Sequence, residues 1–190
     1  MVHPLILASA SPSRHALLTR LGVSFRTSPA HLDETPHPRE RPSAYGMRIS
    51  LEKASAVAKD QSDAFVLAAD TFVALGARIL RKAEDAGEAR LQMRLLSGRR
   101  HRVYTAIALW TPEGSILQRL AMTHVSFKAL DSNEIDLFVR SGEWENVAVY
   151  RHEGVAGRFI RHLSGLTSTI SGLPLFETSQ LLKGVGLLRP

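Results

Sequence analysis

Three segments of the chain carry side chains suited to a charged substrate. Ser9-Ala10-Ser11-Pro12-Ser13-Arg14 sets three hydroxyls and a guanidinium where an apolar strand gives way to a helix. Hydroxyls, the free N–H groups of a helix start and an arginine together suit phosphate oxygens, although an ordinary capped turn uses the same residues. Ala68-Ala69-Asp70-Thr71 runs an apolar strand into a carboxylate. At the end of a strand such a group can bind a divalent cation or activate water; a turn-forming aspartate reads the same way. Asp33 and Glu34 sit in a proline-containing loop, with Lys53 and Lys82 further along. They offer acids for a metal and cations for phosphate charge, but lone charges are as a rule solvated surface, and no spacing rule makes these four converge.

The elements that must position these groups follow from the apolar pattern. Leu5 to Ala8 is a short buried strand. A helix follows, with Ser13 as its cap, Ala16, Leu17, Leu18 and Leu21 on one face and Gly22 as its stop. Val23 to Ser28 reads as a second strand, and Pro29 to Pro42 as a long polar loop of the kind that is often functional. Ser43 to Lys59 is helical, Phe65 to Ala69 is a buried strand ending at Asp70, and Thr71 to Leu75 with Ile79 to Leu80 forms a hairpin about Gly76-Ala77. Asp85 to Leu96 is a helix. Val103 to Trp110 and Ile116 to Phe127 form an antiparallel hairpin around Pro112-Glu113-Gly114. Asp131 and Glu134 make a capping box for the next helix, which Gly142 ends. Val147 to Tyr150 and Phe159 to Leu163 read as short strands, and Pro174 opens a last helix through Leu182. This order predicts an α/β fold with a mixed sheet, in one domain over residues 1–190.

Composition narrows the function classes. The 190 residues are 44% apolar and 22% charged, which excludes a disordered or fibrous chain. Without cysteine there is no disulfide, thiolate metal site or cysteine nucleophile. The run from Met1 to Ser9 lacks the cationic and apolar regions of a signal peptide, and no apolar stretch approaches the roughly 20 residues that span a bilayer. A cytoplasmic protein with no membrane partner is expected. The net charge of +6 points to a polyanionic partner, which composition alone leaves as nucleic acid, anionic membrane or phosphorylated small molecule. The phosphate-binding P-loop, the dinucleotide-binding glycine motif, the GxSxG elbow and the HExxH helix are all absent.

A resemblance chooses among these readings. LILASASPSRHALLTRLGVSF (Leu5 to Phe25), HLDE (His31 to Glu34), LEKA (Leu51 to Ala54), LAADTFVAL (Leu67 to Leu75), LSGRRHRVYTAIAL (Leu96 to Leu109), FVRSGE (Phe138 to Glu143) and SGLPLFE (Ser171 to Glu177) stand in order along nearly the whole chain. In content and spacing they resemble the Maf family, named for an association with septum formation. The resemblance implies two lobes around a central cleft, a fold similar to the inosine triphosphate pyrophosphatases, and often a homodimer. It also implies hydrolysis of a nucleoside triphosphate to the monophosphate and pyrophosphate with Mg²⁺ or Mn²⁺. By the same resemblance Asp70 is the proton acceptor, Glu34 the acidic loop residue and second metal ligand beside Asp70, Lys53 and Lys82 the cleft lysines, and Ser9, Ser11 and Arg14 the phosphate-binding turn.

Ser13, Thr71 and Glu153 match the positions tied to base choice in that family. Thr71 agrees with the branch acting on dTTP and UTP, Glu153 with the branch acting on 7-methyl-GTP, and Ser13 with neither. A carboxylate at Glu153 can accept two hydrogens from a guanine edge, and Leu32 to Pro36 also looks like the second branch. The expectation is therefore 7-methyl-GTP, with dTTP/UTP as the alternative. Departures from the family pattern at Arg81, Ala83, Asn146 and Val149 bear on the pocket wall and the turnover rate. A division-regulating or nucleic-acid-binding protein with a vestigial site is the rival reading. Nucleic acid is disfavoured as partner because basic residues are not interleaved with aromatics, which make up only 6% of the chain.

Overall fold

A computed structural model describes residues 3–188 of the chain; Met1 and Val2, which open the amino-terminal run read above, lie outside them. Seven strands form one mixed sheet: β1 (Leu5–Leu7), β2 (Arg26–Thr27), β3 (Phe65–Leu75), β4 (Arg78–Leu80), β5 (Arg100–Trp110), β6 (Ile116–Phe127) and β7 (Ile160–Ser164). Their order is β2-β1-β3-β5-β6-β7, with β4 also on β3. β1 runs parallel to β2 and β3, and every other pairing is antiparallel. The apolar triplet Leu5-Ile6-Leu7 is buried on both faces, as a parallel strand requires.

One detail of the register makes the site. β5 pairs with β3 continuously from Val66 to Ala74. On the other edge, β1 pairs only with Phe65 to Leu67 and β4 only with Val73 to Leu75. Residues 68–72 of β3 therefore have no strand beside them on that edge, and a cleft opens there.

Helices α1 (Pro12–Thr19), α2 (Pro42–Ala58), α3 (Ala86–Leu96), α4 (Ser132–Ser141), α5 (Thr167–Ile170) and α6 (Leu175–Gly184) cover the sheet. On one face two apolar cores stand side by side. The first joins Leu7, Leu67 and Leu109 to Leu18 of α1 and Leu182 of α6; the second joins Val73, Val103 and Val125 to Met93 of α3 and Phe138 of α4. The expected two lobes are these two cores. On the opposite face α2 spans both lobes, with Ala54 and Val57 against Val66 and Ala68, and Tyr45 and Ile49 against Phe72 and Tyr104. Gly46 permits that approach, because a Cβ there would lie 2.7 Å from the Phe72 ring.

Several expectations need correction. β3 does not end at Asp70; pairing with β5 satisfies its backbone along one full edge, so Asp70 lies in mid-strand. The cap of α1 is Ser11, whose hydroxyl accepts from the Arg14 N–H, because Pro12 already occupies the first helical turn; Ser13 is an exposed helical residue. Ala16 is likewise exposed rather than on the buried face. The second strand shrinks to Arg26–Thr27. Val147 to Tyr150 is an irregular loop rather than a strand: Asn146 has a positive φ of 58°, and Val149 and Tyr150 anchor the loop by burial in the second core. A 3-10 turn at Val155–Phe159 delays β7 by one residue, and α5 was not anticipated. The Asp131–Glu134 capping box forms as read. Among the described residues no helix is long and apolar enough to cross a membrane.

Candidate active site

Positions 70 and 71 straddle the sheet at the gap in β3, and because successive strand residues point to opposite faces, each gathers its own partners. On the α2 face, Lys53 reaches Asp70. Its Nζ donates to Asp70 Oδ1 at 2.6 Å and lies 2.8 Å from Glu34 Oε1. The ammonium thus bridges two carboxylates that are 36 residues apart in sequence. Lys82, on the loop after β4, stands more loosely 3.7 Å from the other Glu34 oxygen. The Glu34 loop is tied to α2 by the Tyr45 hydroxyl, which donates to the Glu34 carbonyl at 3.0 Å.

The electrostatics of this cluster follow from burial and neighbours. Burial alone would raise the Glu34 pKa, but Lys53, then Lys82 and Arg14, outweigh it and hold the carboxyl below its ordinary range. Tyr45 is pushed well above the usual phenol range by burial and by the negative charge of Asp70 and Glu34, so it stays a neutral donor. Asp70 is 4% exposed, and its Oδ2 is buried with no hydrogen-bond partner among the described residues. A buried carboxylate oxygen without a partner is costly unless something else meets it.

On the other face Thr71 meets Arg14. The guanidinium is held at three points: Nε donates to the Gly172 carbonyl at 2.9 Å, Nη1 to Ser9 Oγ at 3.1 Å, and Nη2 to Thr71 Oγ1 at 3.2 Å. Three of its five N–H donors are used, leaving one on each terminal nitrogen. Burial lowers the Arg14 pKa, partly offset by Asp70 and Glu34, yet an arginine so placed remains a cation. Ser9 Oγ also accepts from the Ser11 N–H. Gly172 is required here: its φ is +104°, and a Cβ would lie 3.4 Å from both Arg14 Nε and Thr71 Oγ1.

Of the residues singled out from sequence, Ser9, Arg14, Glu34, Lys53, Asp70, Thr71 and Lys82 line or adjoin one cleft, whose cavity of about 180 Å³ is bounded by Glu34, Tyr45, Thr71, Phe72, Lys82 and Ala148 among others. Asp33 does not join them; its carboxylate turns away to accept from the Thr35 N–H and hydroxyl. Ser11 serves as the helix cap. Glu153 has a side chain 82% exposed, and the ion-pair neighbour within reach is His152 at 3.8 Å. Arg81 and Ala83 line the cavity beside Lys82, while Val149 is in the core and Asn146 is exposed, so of that stretch it is Ala148 that forms the wall.

Sequence reasoning missed Tyr45 and Thr105. Thr105 is fully buried and joins the Thr71 hydroxyl, at 2.9 Å, to the Thr169 carbonyl, at 2.6 Å. Its signal was a lone hydroxyl in the otherwise apolar centre of β5. Tyr45 had none beyond its place on the helix that carries Lys53.

A carboxylate with an unmet oxygen, a second carboxylate kept ionised, and three cations around an open strand edge can bind a polyphosphate and activate water beside it. Known proteins resemble the chain along nearly its whole length. The sequence profile of the family described as Maf-like protein matches residues 4–185. A dTTP/UTP pyrophosphatase of Rhodopseudomonas palustris (strain HaA2) is 50% identical over 190 residues, covering 96% of this chain and 92% of that protein. A dTTP/UTP pyrophosphatase of Rhodospirillum rubrum is 49% identical over 185 residues, covering 96% of this chain and 88% of that protein. Among solved structures, a nucleoside-triphosphatase (dITP/XTP pyrophosphatase) of Mycobacterium abscessus is similar with a TM-score of 0.49 and 22% identity, over 65% of this chain and 74% of that one.

Proposed function

The chain belongs to the Maf-like family, and on that premise we propose that it is a nucleoside triphosphate pyrophosphatase acting on dTTP and UTP, releasing the monophosphate and pyrophosphate. The observation that carries the chemistry is the buried, unpartnered Oδ2 of Asp70 beside a lysine that neutralises Oδ1. Lys53 fixes the carboxylate through Oδ1, while Oδ2 is left to accept the proton of an attacking water. Arg14 and the loosely held Lys82 turn positive charge toward the roughly four negative charges of a triphosphate, and Arg14 offers its two remaining N–H donors to phosphate oxygens.

A divalent cation fits this donor set. Among the described residues no cluster of three or more His, Cys, Asp or Glu is present. Mg²⁺, however, is commonly held by one or two carboxylates together with substrate phosphates, and Asp70 with Glu34 meets that requirement. When bound, the cation would neutralise phosphate charge and acidify a coordinated water. Asp70 and Glu34 are the residues that would hold it.

The expectation of 7-methyl-GTP gives way to its alternative. It rested on Glu153 as an acceptor for guanine and on the stretch from Leu32 to Pro36; the Glu153 side chain is exposed. Thr71, the position in agreement with the dTTP/UTP branch, is fixed in the cavity wall, and the relatives at about half identity are named for dTTP and UTP. Pyrophosphate release from dTTP, UTP, CTP, GTP and 7-methyl-GTP, each with Mg²⁺ and with Mn²⁺, tests the proposal. The expected result is a kcat/KM for UTP and dTTP at least tenfold above the rest. A preference for 7-methyl-GTP would overturn the assignment of the base, and no release from any triphosphate would overturn the activity.

A further inference from the structure

The hydrogen bonds behind Thr71 have only one consistent direction. Thr105 Oγ1 lies 2.6 Å from the Thr169 carbonyl, which can only accept, so the single Thr105 hydroxyl hydrogen is spent there. At the 2.9 Å contact between the two threonines, Thr105 must therefore accept and Thr71 must donate. Arg14 Nη2 donates to Thr71 Oγ1 from the far side at 3.2 Å. The chain runs Arg14 to Thr71 to Thr105 to the Thr169 carbonyl. Thr71 has given away its only hydrogen and filled one lone pair. What remains toward the cavity is one lone pair, so Thr71 can accept from a ligand and cannot donate to it.

The arrangement is built into the fold rather than left to rotamer choice. Thr71 and Thr105 are directly opposed in the β3–β5 register, which brings their hydroxyls together. Thr105 is fully buried and Thr169 nearly so, which keeps both groups away from bulk water. The Thr169 carbonyl also accepts from the Gly172 N–H at 3.2 Å, but a rotated Thr105 hydroxyl would set two oxygens 2.6 Å apart with no hydrogen between them, a repulsive contact that the observed direction avoids.

We propose that Thr105 is a positioning residue for base selection: by consuming the Thr71 hydrogen, it makes Thr71 an obligate acceptor for the imide N–H of uracil or thymine. Cytosine carries a lone pair at that ring position, which would face the lone pair of Thr71 with no hydrogen between them. A site that leaves polar groups mismatched discriminates far more strongly than one that changes only shape. The inference rests on the dTTP/UTP reading above and adds the residue that enforces it.

The test is the ratio of kcat/KM for UTP to that for CTP in the wild type, Thr105→Val and Thr105→Ser. Loss of the hydroxyl in Thr105→Val releases the Thr71 hydrogen to turn into the cavity, where it can meet the cytosine lone pair. The ratio is expected to fall at least tenfold, with KM for UTP rising more than kcat falls. Thr105→Ser keeps the hydroxyl and is expected to hold the ratio within about twofold. Thr105→Ala, which leaves space for a water, serves in place of the valine variant if that one does not fold. A wild-type preference for UTP that survives loss of the hydroxyl, or that vanishes equally in Thr105→Ser, would overturn this inference alone. A wild type with no preference for UTP over CTP would overturn the dTTP/UTP assignment and this inference with it.

Discussion

The two faces of β3 at the cleft are built on opposite principles. Around Asp70 the groups are charged and mutually neutralising, and one oxygen is left without a partner. Around Thr71 the described partners form a chain in which each hydroxyl and carbonyl is matched and the direction of every bond is fixed. Adjacent residues of one strand thus serve unlike ends: the unsatisfied side retains reactivity, and the saturated side retains shape and polarity. From this contrast, substitutions on the first face are expected to strike turnover, and those on the second to strike binding and selectivity.

The largest effect is expected from Asp70→Asn. It preserves volume and removes the proposed proton acceptor, and should lower kcat by about a thousandfold with KM little changed and the far-ultraviolet circular dichroism unaltered. A loss expressed mainly in KM would erase the distinction between the faces. Next is Lys53→Met, which leaves the buried Asp70 and the half-buried Glu34 without their shared cation. Removing one partner of a buried pair costs about 3–5 kcal/mol, so thermal unfolding should show a lowered Tm as well as a large drop in kcat. The acid limb of its pH–rate profile should also move to higher pH, because the lost ammonium had favoured the ionised Glu34 carboxylate.

Gly172→Ala sharpens the contrast from the other face. The left-handed φ is strained for any other residue by about 1–2 kcal/mol, and the new methyl presses on Arg14 Nε and Thr71 Oγ1. KM for UTP should rise about tenfold while kcat falls no more than severalfold. The smallest expected effect concerns the pH dependence of stability. The Glu34 pKa is depressed in the folded chain, so its ion pairs stabilise the protein above the unfolded carboxyl pKa of roughly 4.3 and lose that contribution as pH falls through the lower folded value. The Tm gap between wild type and Glu34→Gln should therefore be constant near neutrality and close below about pH 4; a gap that widened on acidification would contradict this electrostatic account.

How far the sequence foretold this arrangement depends on how local each cause was. The Asp131 capping box, the β3–β4 turn about Gly76 and the long β5–β6 hairpin were readable because their determinants lie within a few residues of each other. Asp70 was recognised as a chemical group but misplaced at a strand end, since only the distant pairing with β5 carries β3 through it. Lys53 and Glu34 converge because α2 and the loop before it cross the sheet together, which no spacing of charges announces. The exposure of Glu153 was hidden for a related reason: its loop is anchored by burial of Val149 and Tyr150, while the Glu153 side chain stands in solvent. Of the +6 charge, Arg14, Lys53 and Lys82 are accounted for by the cleft.

The central claim is cleavage between the α and β phosphates of a pyrimidine nucleoside triphosphate at the Asp70 face. Its most direct test is phosphorus-31 NMR of the products formed from UTP by the wild-type protein. The account predicts UMP and pyrophosphate in equal amounts from the earliest time points, with neither UDP nor orthophosphate accumulating. UDP with orthophosphate, or unchanged UTP, would contradict it.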